Sequence, residues 1–398
     1  MKIAIIGAGT AGLASALLLS RDGHAVQVFE RVPEPGPVGA GFMLQPTGVH
    51  VLRELGLSEA VLAKASPVAR LLGTTRGGRA VIDLSYEELA PDLCGYGVQR
   101  GVLFHALLEA TREAGIPLHT GVEVTSFRPT GTERLLVEEG GAEHGPFELV
   151  VIAAGARSRL RAQLGFSLFR DRTYPRGPLW FMGNDPGDAS GALLRQGFDG
   201  CRVMAGLPPS GRPVEGAPLQ VSLFWSLRGD ALERWRERGL DAWKRDVLRV
   251  LPQAAPVLEQ IHTLEQLTFA AYQDKEMTDW HVAGAMVLGD AAHATSLQLG
   301  RGVDLALTHA SMLASSLRGH DLEGALWHYS EDRREHLRFY SWATRFLTPF
   351  SYSNVVPLGW LRDALMGPLC RVRPLRRQML LSRAGVHRGL LARALPLS

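Results

Sequence analysis

Cysteine is scarce in this sequence of 398 residues, which contains three of them: Cys94, Cys201 and Cys370. They are far apart, their number is odd, and none belongs to a Cys-x-x-Cys pair or lies beside a histidine. We therefore expect neither a disulfide framework nor a metal site. The cysteine usage is typical of a protein of the reducing cytoplasm.

Long hydrophobic runs are also missing, because no segment reaches the roughly 20 apolar residues that a membrane-spanning helix requires. At the N-terminus, Met1 and Lys2 precede a short apolar run that ends in a glycine turn. This pattern favours a first β-strand over a signal peptide. The sequence shows no basic and aromatic interleaving of the kind that binds nucleic acid, so nucleic acid is not an expected partner.

The overall composition is that of a globular protein, with 46% hydrophobic residues, 21% charged residues and no internal repeat. The length exceeds that of one ordinary hydrophobic core, so we expect two intertwined units. The net charge of +3 is unevenly distributed, because residues 341–398 contain nine arginines and one acid. The first 340 residues therefore carry a net charge of −5.

The basic C-terminal segment also contains apolar residues such as Trp360, Leu361 and Leu365. One interpretation is a pair of helices that pack on the body of the protein and keep their arginines in water. The other is a surface that contacts an anionic membrane or a partner protein. Both interpretations stay open from the sequence.

Hydrophobic periodicity predicts a βαβ unit at the start of the chain. Residues 2–7 form a β-branched apolar run, a helical pattern follows, and residues 24–30 resemble a second strand. Unbroken apolar runs at 148–153 and 285–289 are typical of buried parallel strands. Between them, residues 166–281 alternate in the manner of antiparallel strands. The first unit is therefore predicted to be discontinuous, with a second domain inserted into it.

The first strand and helix are joined by the sequence Gly7-Ala8-Gly9-Thr10-Ala11-Gly12. Glycines permit a tight turn here and let the backbone approach a pyrophosphate at the helix N-terminus. Glu30 ends the second strand, where a carboxylate can accept hydrogen bonds from ribose hydroxyls. A tight turn followed by an exposed acid needs no ligand, but the combination favours a bound dinucleotide. The predicted contacts are Gly7, Gly9, Thr10, Ala11, Gly12 and Glu30.

A second motif distinguishes FAD from NAD. The sequence from Gly289-Asp290 to Gly300-Arg-Gly302-Val303 follows a predicted buried strand and opens a helix. Asp290 can bond a ribityl hydroxyl, and free amides in the glycine turn suit the negative charge of a reduced flavin ring. The motif therefore favours FAD.

With these motifs the sequence strongly resembles the FAD-dependent class A flavoprotein monooxygenases, the para-hydroxybenzoate hydroxylase-like aromatic hydroxylases. The resemblance covers most of the chain. It is carried by Gly7 to Gly12 with Glu30-Arg31, Gly39-Ala-Gly41, Arg100, Glu148 to Arg161 and, most specifically, Gly289 to Ala306.

The resemblance implies further cofactor contacts. Arg100 is implied to reach the FAD pyrophosphate or ribityl chain, the backbone of Val124 to meet the adenine, and Asp290 to hold the ribityl chain. An arginine ahead of a helix can also be an ordinary surface residue. Beyond the first motif, the full set is Arg31, Arg100, Val124, Asp290, Gly300, Gly302 and Val303, the last three at the flavin ring.

The implied fold class is α/β. It consists of a Rossmann-like, glutathione reductase-type FAD-binding domain, an inserted α+β substrate domain with an antiparallel sheet, and a C-terminal helical segment. We expect residues 1–66, 98–165 and 282–340 in the FAD-binding domain. The substrate domain would comprise 67–97 and 166–281, and the basic helical segment 341–398.

The sequence departs from the family pattern at two positions. Ala154 replaces an aspartate that precedes Gly155 in the family and is associated with both FAD and reduced-nicotinamide use. Leu297 replaces a proline near the flavin and the nicotinamide approach. Ala154 puts direct reduction by NADH or NADPH in question, and Leu297 indicates a loop reshaped around a different reductant or substrate.

The family's chemistry implies that NADH or NADPH reduces FAD, that O2 forms a flavin C4a-hydroperoxide, and that one oxygen atom passes to an aromatic substrate. No catalytic base is assigned, because lone histidines and tyrosines such as His293, His309 and Tyr272 are usually structural. The expected substrate is a bulky, lipophilic aromatic molecule such as a polyketide, quinone or quinolone. Four aromatic residues could wall its pocket or belong to the core: Trp180, Phe181, Phe224 and Trp225.

Two other functions stay open. Ala154 and Leu297 motivate a dehydrogenase, oxidase or epoxidase-type enzyme on the same scaffold, with non-standard flavin reduction. The basic C-terminal segment motivates a non-catalytic flavin-binding protein that docks on a membrane. A scaffold protein would not need contacts to the redox end of the cofactor, which disfavours the latter. The expected location is the cytoplasm, with peripheral membrane contact left open.

Overall fold

The computed structural model describes residues 1–37, 39–185, 187, 191–294 and 300–386, without the side chain of Glu335. Its strands are β1 (Lys2–Ile6), β2 (Ala25–Glu30), β3 (Phe42–Leu44), β4 (Ser66–Val68), β5 (Arg70–Thr75), β6 (Ala80–Ser85), β7 (Gly95–Val98), β8 (Leu118–Thr120), β9 (Val124–Thr130), β10 (Glu133–Glu138), β11 (Glu143–Phe147), β12 (Leu149–Ile152), β13 (Leu168–Thr173), β14 (Arg176–Asn184), β15 (Leu193–Asp199), β16 (Val203–Leu207), β17 (Pro209–Gly211), β18 (Gln220–Arg228), β19 (Thr268–Phe269), β20 (Gln273–Met277), β21 (His281–Val282) and β22 (Ala285–Val287).

Helices occupy much of the remaining chain and dominate its C-terminal part. They are α1 (Thr10–Arg21), α2 (Pro46–Glu54), α3 (Ser58–Leu62), α4 (Arg100–Glu113), α5 (Leu160–Gln163), α6 (Leu232–Arg238), α7 (Leu240–Val250), α8 (Ala255–Leu258), α9 (Gly302–Gly319), α10 (Leu322–Ser351), α11 (Val356–Leu369) and α12 (Arg373–Ala384).

The central sheet has the strand order β21-β22-β12-β1-β2-β8. All neighbouring pairs are parallel except β21 with β22. The residues of β12 and those from Ile3 to Ile6 in β1 are fully or almost fully buried, as expected for interior parallel strands. Strands distant in sequence therefore form one sheet, and the predicted α/β fold class is confirmed.

A second sheet is built largely from the inserted region, in the order β19-β14-β18-β16-β15-β5-β6, with β17 paired to β18. The predicted antiparallel pairing holds for most neighbours, but β15 and β5 are parallel. A parallel pair is possible here because β5 belongs to an earlier chain segment and no hairpin joins it to β15. Strands β13 and β20 form a separate antiparallel pair.

The region between the two sheets is bridged by a small sheet of β3, β7 and β4. It pairs residues on both sides of the predicted boundaries at 66/67 and 97/98. The domain boundaries thus stay a prediction, and the structure shows that backbone hydrogen bonds cross them.

The C-terminal helices do not begin as a separate unit at residue 341. Helix α10 runs without a break across the predicted boundary, because its internal proline, Pro349, lies only in the last turn. Helix α11 packs on β6, and α12 contacts both β6 and the turn at 86–88, where Arg376 is paired with Glu88. Among the described residues, no helix is both long enough and apolar enough to cross a membrane.

The turn between β1 and α1 depends on a close backbone approach. A Cβ atom on Gly12 would overlap the carbonyl oxygen of Gly7, and one on Gly7 would lie 2.6 Å from the carbonyl oxygen of Ala153 in the neighbouring strand connection. Gly7 also has a φ angle of +109°, which L side chains rarely adopt. The backbone can follow this path only with glycine at both positions.

We predict that Gly12→Ala destabilises the protein by about 1–3 kcal/mol, because the new methyl group meets backbone atoms that cannot rotate away. Urea unfolding of the purified protein measures the effect. Gly319→Ala is the matched control, since a Cβ atom there has no neighbour within 4 Å. Equal unfolding midpoints for Gly12→Ala and the wild type would contradict the close approach.

Candidate active site

The N-terminus of α1 is open to an anionic ligand. Its capping residue, Gly9, has extended backbone and no side-chain cap, so the first amide groups of the helix lack intrahelical partners. A Cβ atom on Gly9 would have no neighbour within 4 Å, so the turn faces free space. Thr10 and Ala11 begin the helix beside it. This geometry fits a pyrophosphate against the helix N-terminus.

Glu30 lies at the carboxyl end of β2 and is fixed by the backbone around it. Its carboxylate accepts hydrogen bonds from the amides of Ala8, at 2.8 Å, and Val32, at 3.0 Å. The amide of Val122 donates to the Glu30 carbonyl at 3.0 Å, which brings the start of β9 at Val124 towards the same edge. Arg31 is exposed next to Glu30. The predicted adenosine contacts thus lie around one corner of the sheet.

The second motif packs directly against the first. Gly289 follows β22 with a φ angle of +60°, and a Cβ atom on it would lie 2.8 Å from the Cβ atom of Ala11. A Cβ atom on Gly302, at the start of α9, would lie 4.0 Å from Oδ1 of Asp290. The structure therefore brings Asp290 close to the turn of Gly300 and Gly302, and Val303 follows as a buried residue.

Asp290 lies in a recess. Its side chain is exposed to solvent, yet the surrounding protein desolvates it and raises the pKa of its carboxyl group, an effect that the Arg100 charge partly offsets. Arg100 makes no hydrogen bond or ion pair within the part of the chain described, and its guanidinium lies 5.8 Å from the ring centroid of Phe42. An unpaired arginine beside a recessed carboxylate fits a ligand with a phosphate and hydroxyl groups.

Gly39 shows why small residues are needed beside this arginine. It has a φ angle of +102°, and a Cβ atom there would lie 3.0 Å from Nε of Arg100. Gly41, two residues later, approaches the second sheet, where a Cβ atom would lie 2.5 Å from Oγ of Ser210. The Gly39-Ala-Gly41 segment therefore links the recess to the inserted sheet.

Arg161 is a structural residue that the sequence did not single out individually. Its side chain is buried, and it donates one hydrogen bond to the carbonyl of Ala291 and another, at 3.3 Å, to that of Ala156. It therefore ties the segment after β12 to the loop that carries Asp290. Ala154, the departure from the family pattern, is exposed in that segment beside the Gly7 turn.

Asp304 is a second residue that sequence reasoning missed. Its carboxylate is completely buried and accepts a hydrogen bond from the backbone amide of Gln45 at 2.7 Å, and it lies so close to Gly48 that a Cβ atom there would be 2.3 Å from Oδ1. Burial raises the pKa of Asp304 to about 6, against the opposing effect of nearby Arg301. The only signal for it in the sequence was its place in the second glycine motif. The Asp304 carboxylate joins the start of α9 to the start of α2.

His293 and His309 are hydrogen-bonded to each other through Nε2 and Nδ1 at 2.8 Å and are buried. Burial and the nearby Arg333 charge lower the pKa of His293 to about 3 and that of His309 well below its ordinary value. Both rings are therefore neutral near pH 7, which argues against their exchanging protons with a substrate there. Among the described residues, no cluster of His, Cys, Asp or Glu could hold a metal ion.

The inserted sheet has two different faces. Leu179, Phe181, Leu223 and Trp225 point to one face, where they join the apolar core with helices α6 to α8. Trp180 pairs with Phe224 and Met182 with Ser222, so these four alternate residues lie on the other face. A Cβ atom on Gly41 would lie 3.2 Å from Oγ of Ser222. This second face is therefore turned towards the Gly39-Ala-Gly41 segment and the recess beside it.

The four candidate pocket aromatics therefore separate into two pairs. Phe181 and Trp225 belong to the core on one face. Trp180 is half-buried on the opposite, recess-facing side, where Phe224 packs against the small cluster of Val81, Phe198 and Met204. Tyr272 and Tyr352 interact electrostatically, and Arg100 also acts on Tyr272. Trp180 and Phe224 form the aromatic wall of this face, and Tyr272 lies near Arg100. Leu297 lies outside the described residues.

These features fit FAD. The open helix N-terminus suits its pyrophosphate, Glu30 a ribose, and Asp290 with Arg100 the chain that leads to the ring. The free amides at the start of α9 suit the electron-rich edge of the ring, because Arg301 at the capping position supplies no side-chain cap. The individual contacts remain predictions that follow from this arrangement.

Comparisons with known proteins agree with the site. Residues 1–339 match the family model described as FAD binding domain. A Rhodococcus erythropolis protein assigned as a 2-heptyl-3-hydroxy-4(1H)-quinolone synthase is 28% identical over 385 residues, with 96% of this chain and 91% of the relative covered. The 3-amino-4-hydroxybenzoate 2-monooxygenase of Streptomyces cremeus is 29% identical, with 80% and 78% covered.

Solved structures share the fold. PqsL of Pseudomonas aeruginosa, in complex with 2-aminobenzoylacetate, superposes with a TM-score of 0.81 at 21% identity and covers 92% of this chain and 99% of its own. Klebsiella pneumoniae HpxO, complexed with FAD and uric acid, gives a TM-score of 0.79 at 20% identity over 98% of each chain. The predicted family is confirmed: this chain belongs to the FAD binding domain family and is an FAD-dependent aromatic monooxygenase.

Proposed function

We propose that the protein inserts one oxygen atom from O2 into a bulky, lipophilic aromatic substrate, with NADH or NADPH as the reductant. The substrate class is inferred from the side chains on the recess-facing side of the inserted sheet. Its middle positions are occupied by Trp180, Phe224 and Met182, which carry no charge, whereas the charged pair of Arg176 and Arg228 lies at one end of the same face. Aromatic and thioether side chains favour a flat apolar ring over a small acid.

The names of two relatives support this class. One is assigned as an alkylquinolone synthase, and the other acts on an amino-hydroxybenzoate. An alkylquinolone combines an aromatic bicycle with an apolar chain, which suits the uncharged middle of this face. The benzoate is smaller and carries a carboxylate. The aromatic, uncharged middle of the face therefore favours the quinolone-like end of the range.

The contribution of the protein's residues is mainly to bind, orient and exclude water. FAD, when bound, supplies the redox chemistry with O2. Asp290 and Arg100 would hold the chain between pyrophosphate and ring, while Trp180 and Phe224 would orient the substrate ring. Burial raises the pKa of the Tyr272 hydroxyl far above neutral, so Tyr272 stays protonated and can donate a hydrogen bond to a substrate oxygen.

We predict that Trp180→Leu raises KM for the aromatic substrate roughly fivefold to tenfold with a smaller change in kcat, because a ring contact is lost on binding. Steady-state oxygen consumption measures both constants. Phe169→Leu is the control, since Phe169 is an exposed aromatic residue on the separate pair of strands. Unchanged KM in Trp180→Leu would place the substrate elsewhere.

The test of the reaction itself has two parts. Under air, the product from a panel of alkylquinolones, quinones and aminobenzoates should gain the mass of one oxygen atom. Under anaerobic conditions, NADH or NADPH should bleach the flavin absorbance in the presence of the substrate. Products that lack two hydrogens instead would refute monooxygenation and identify a dehydrogenase or oxidase.

Ala154 supports one alternative, an oxidoreductase on the same scaffold with a different route of flavin reduction. The residue stands beside the Gly7 turn, where the family aspartate is associated with nicotinamide use. If neither nicotinamide bleaches the flavin while a chemical reductant does, direct reduction by NADH or NADPH is wrong. A gain of one oxygen in that case would retain the monooxygenase and change only its electron donor.

We also propose that the C-terminal segment places the enzyme on an anionic membrane surface. On α11, Trp360 is 68% exposed, and Leu361 and Leu365 are nearly half exposed. The exposed arginines Arg371 and Arg373 follow directly. Apolar side chains with adjacent cations complement the acyl boundary and the headgroups of an anionic bilayer.

We predict that the enzyme co-sediments with phosphatidylglycerol vesicles and that Trp360→Ser lowers the bound fraction at least about threefold, because an apolar anchor is removed. Trp327→Ser is matched in residue type, as Trp327 is 54% exposed on α10. Phosphatidylcholine vesicles test the role of charge. Equal sedimentation of both variants, or none with either lipid, would refute the membrane surface and leave a protein partner for this face.

A further inference from the structure

Arg301 lies between the two glycines of the turn that is predicted to face the flavin ring. Its side chain is only 2% exposed, although the guanidinium group is charged. Burying a cation is costly unless it finds several partners. The identity of those partners shows which parts of the chain this turn depends on.

The partners of Arg301 come from three distant segments. Nη2 donates to Oγ1 of Thr47 at the start of α2, at 3.3 Å, and Nη1 lies 3.4 Å from the carbonyl oxygen of Ser382 in α12. The guanidinium also stacks over the Tyr340 ring of α10, 4.8 Å from its centroid. Asp304, 4.0 Å from Nε, provides the nearby negative charge. One side chain thus joins α2, α10 and α12 to the turn.

Gly385 shows how closely α12 approaches. It ends the helix with a φ angle of +91°, and a Cβ atom on it would overlap the guanidinium of Arg301. The C-terminal helix therefore reaches the turn before α9, some eighty residues earlier in the chain. Only a residue without a side chain fits between the end of α12 and Arg301.

We propose that Arg301 is a positioning residue for the cofactor, and that the end of α12 is an integral part of the flavin site through its contact with Arg301. The guanidinium would fix the orientation in which Gly300 and Gly302 present their backbone amides to the flavin ring. A planar group with five donors suits this role, because it can hold several elements in one fixed geometry. The inference rests on the proposed placement of the ring at this turn.

The experiment compares Arg301→Lys, Arg301→Met and Thr47→Val with the wild type as FAD-loaded enzymes. The readouts are the FAD dissociation constant from flavin fluorescence, the flavin absorption spectrum and the midpoint potential. We expect Arg301→Met to weaken FAD binding roughly tenfold or more and to shift the potential to more negative values. Arg301→Lys should recover part of the loss, and Thr47→Val should produce a smaller shift in the same direction.

Gly385→Ala tests the contribution of α12 without replacing any residue of the turn itself. Gly239→Ala is its matched control, because Gly239 also ends a helix at positive φ, +78°, but a Cβ atom there would have no neighbour within 4 Å. Both substitutions strain the backbone, whereas only Gly385→Ala presses on Arg301. We expect the flavin spectrum and potential to change in Gly385→Ala and to match the wild type in Gly239→Ala.

The outcomes separate this proposal from the proposed function. If the wild type oxygenates aromatic substrates but Arg301→Met and Gly385→Ala keep its spectrum, potential and FAD affinity, the positioning role is refuted and the enzyme assignment stands. If the two glycine variants lose stability equally without any flavin change, the link to α12 is refuted. Altered flavin properties in an enzyme that fails to oxygenate would support the positioning role and refute the reaction.

Discussion

The parallel order of β22, β12, β1 and β2 is the constraint on which the site depends. In a parallel sheet, the turns that follow neighbouring strands meet at one edge. The Gly7 turn follows β1, Ala154 follows β12, and Gly289 follows β22. Segments that are almost 300 residues apart thereby lie side by side at this edge. If β22 did not pair with β12, Asp290 would have no reason to lie near the first glycine motif.

The inserted sheet contributes to the site because its two faces carry different side chains. Alternation along β14 and β18 directs one set of side chains into a core with α6 to α8 and the other set towards the recess. Gly41 allows its segment to approach the inserted sheet, because a larger residue would collide with Ser210. The aromatic wall is therefore a consequence of sheet geometry and one small residue, and it needs no separate binding module.

Several charged and polar side chains are buried next to the turn of Gly300 and Gly302, which is predicted to face the flavin ring. Arg333 is almost completely buried between α9 and α10, and burial lowers its pKa to about 10. Together with Arg301, Asp304 and the pair His293 and His309, it forms a buried polar cluster. Polar contacts are directional, so they fix the relative placement of helices more narrowly than apolar contacts do.

The sequence by itself determined the cofactor class and the fold. The motifs at Gly7 and Asp290 each mark a tight turn between a strand and a helix, and such a turn is recognisable from a few neighbouring residues. The contacts of Asp304 could not be predicted, since its partners are distant backbone amides that carry no sequence signature. Only the tertiary structure decided which aromatic residues face the recess. Phe181 and Trp180 are neighbours of similar character, and the pairing of β14 with β18 assigns one to the core and the other to the recess side. Composition records how many such residues there are, whereas their environment depends on which distant segment packs against each one.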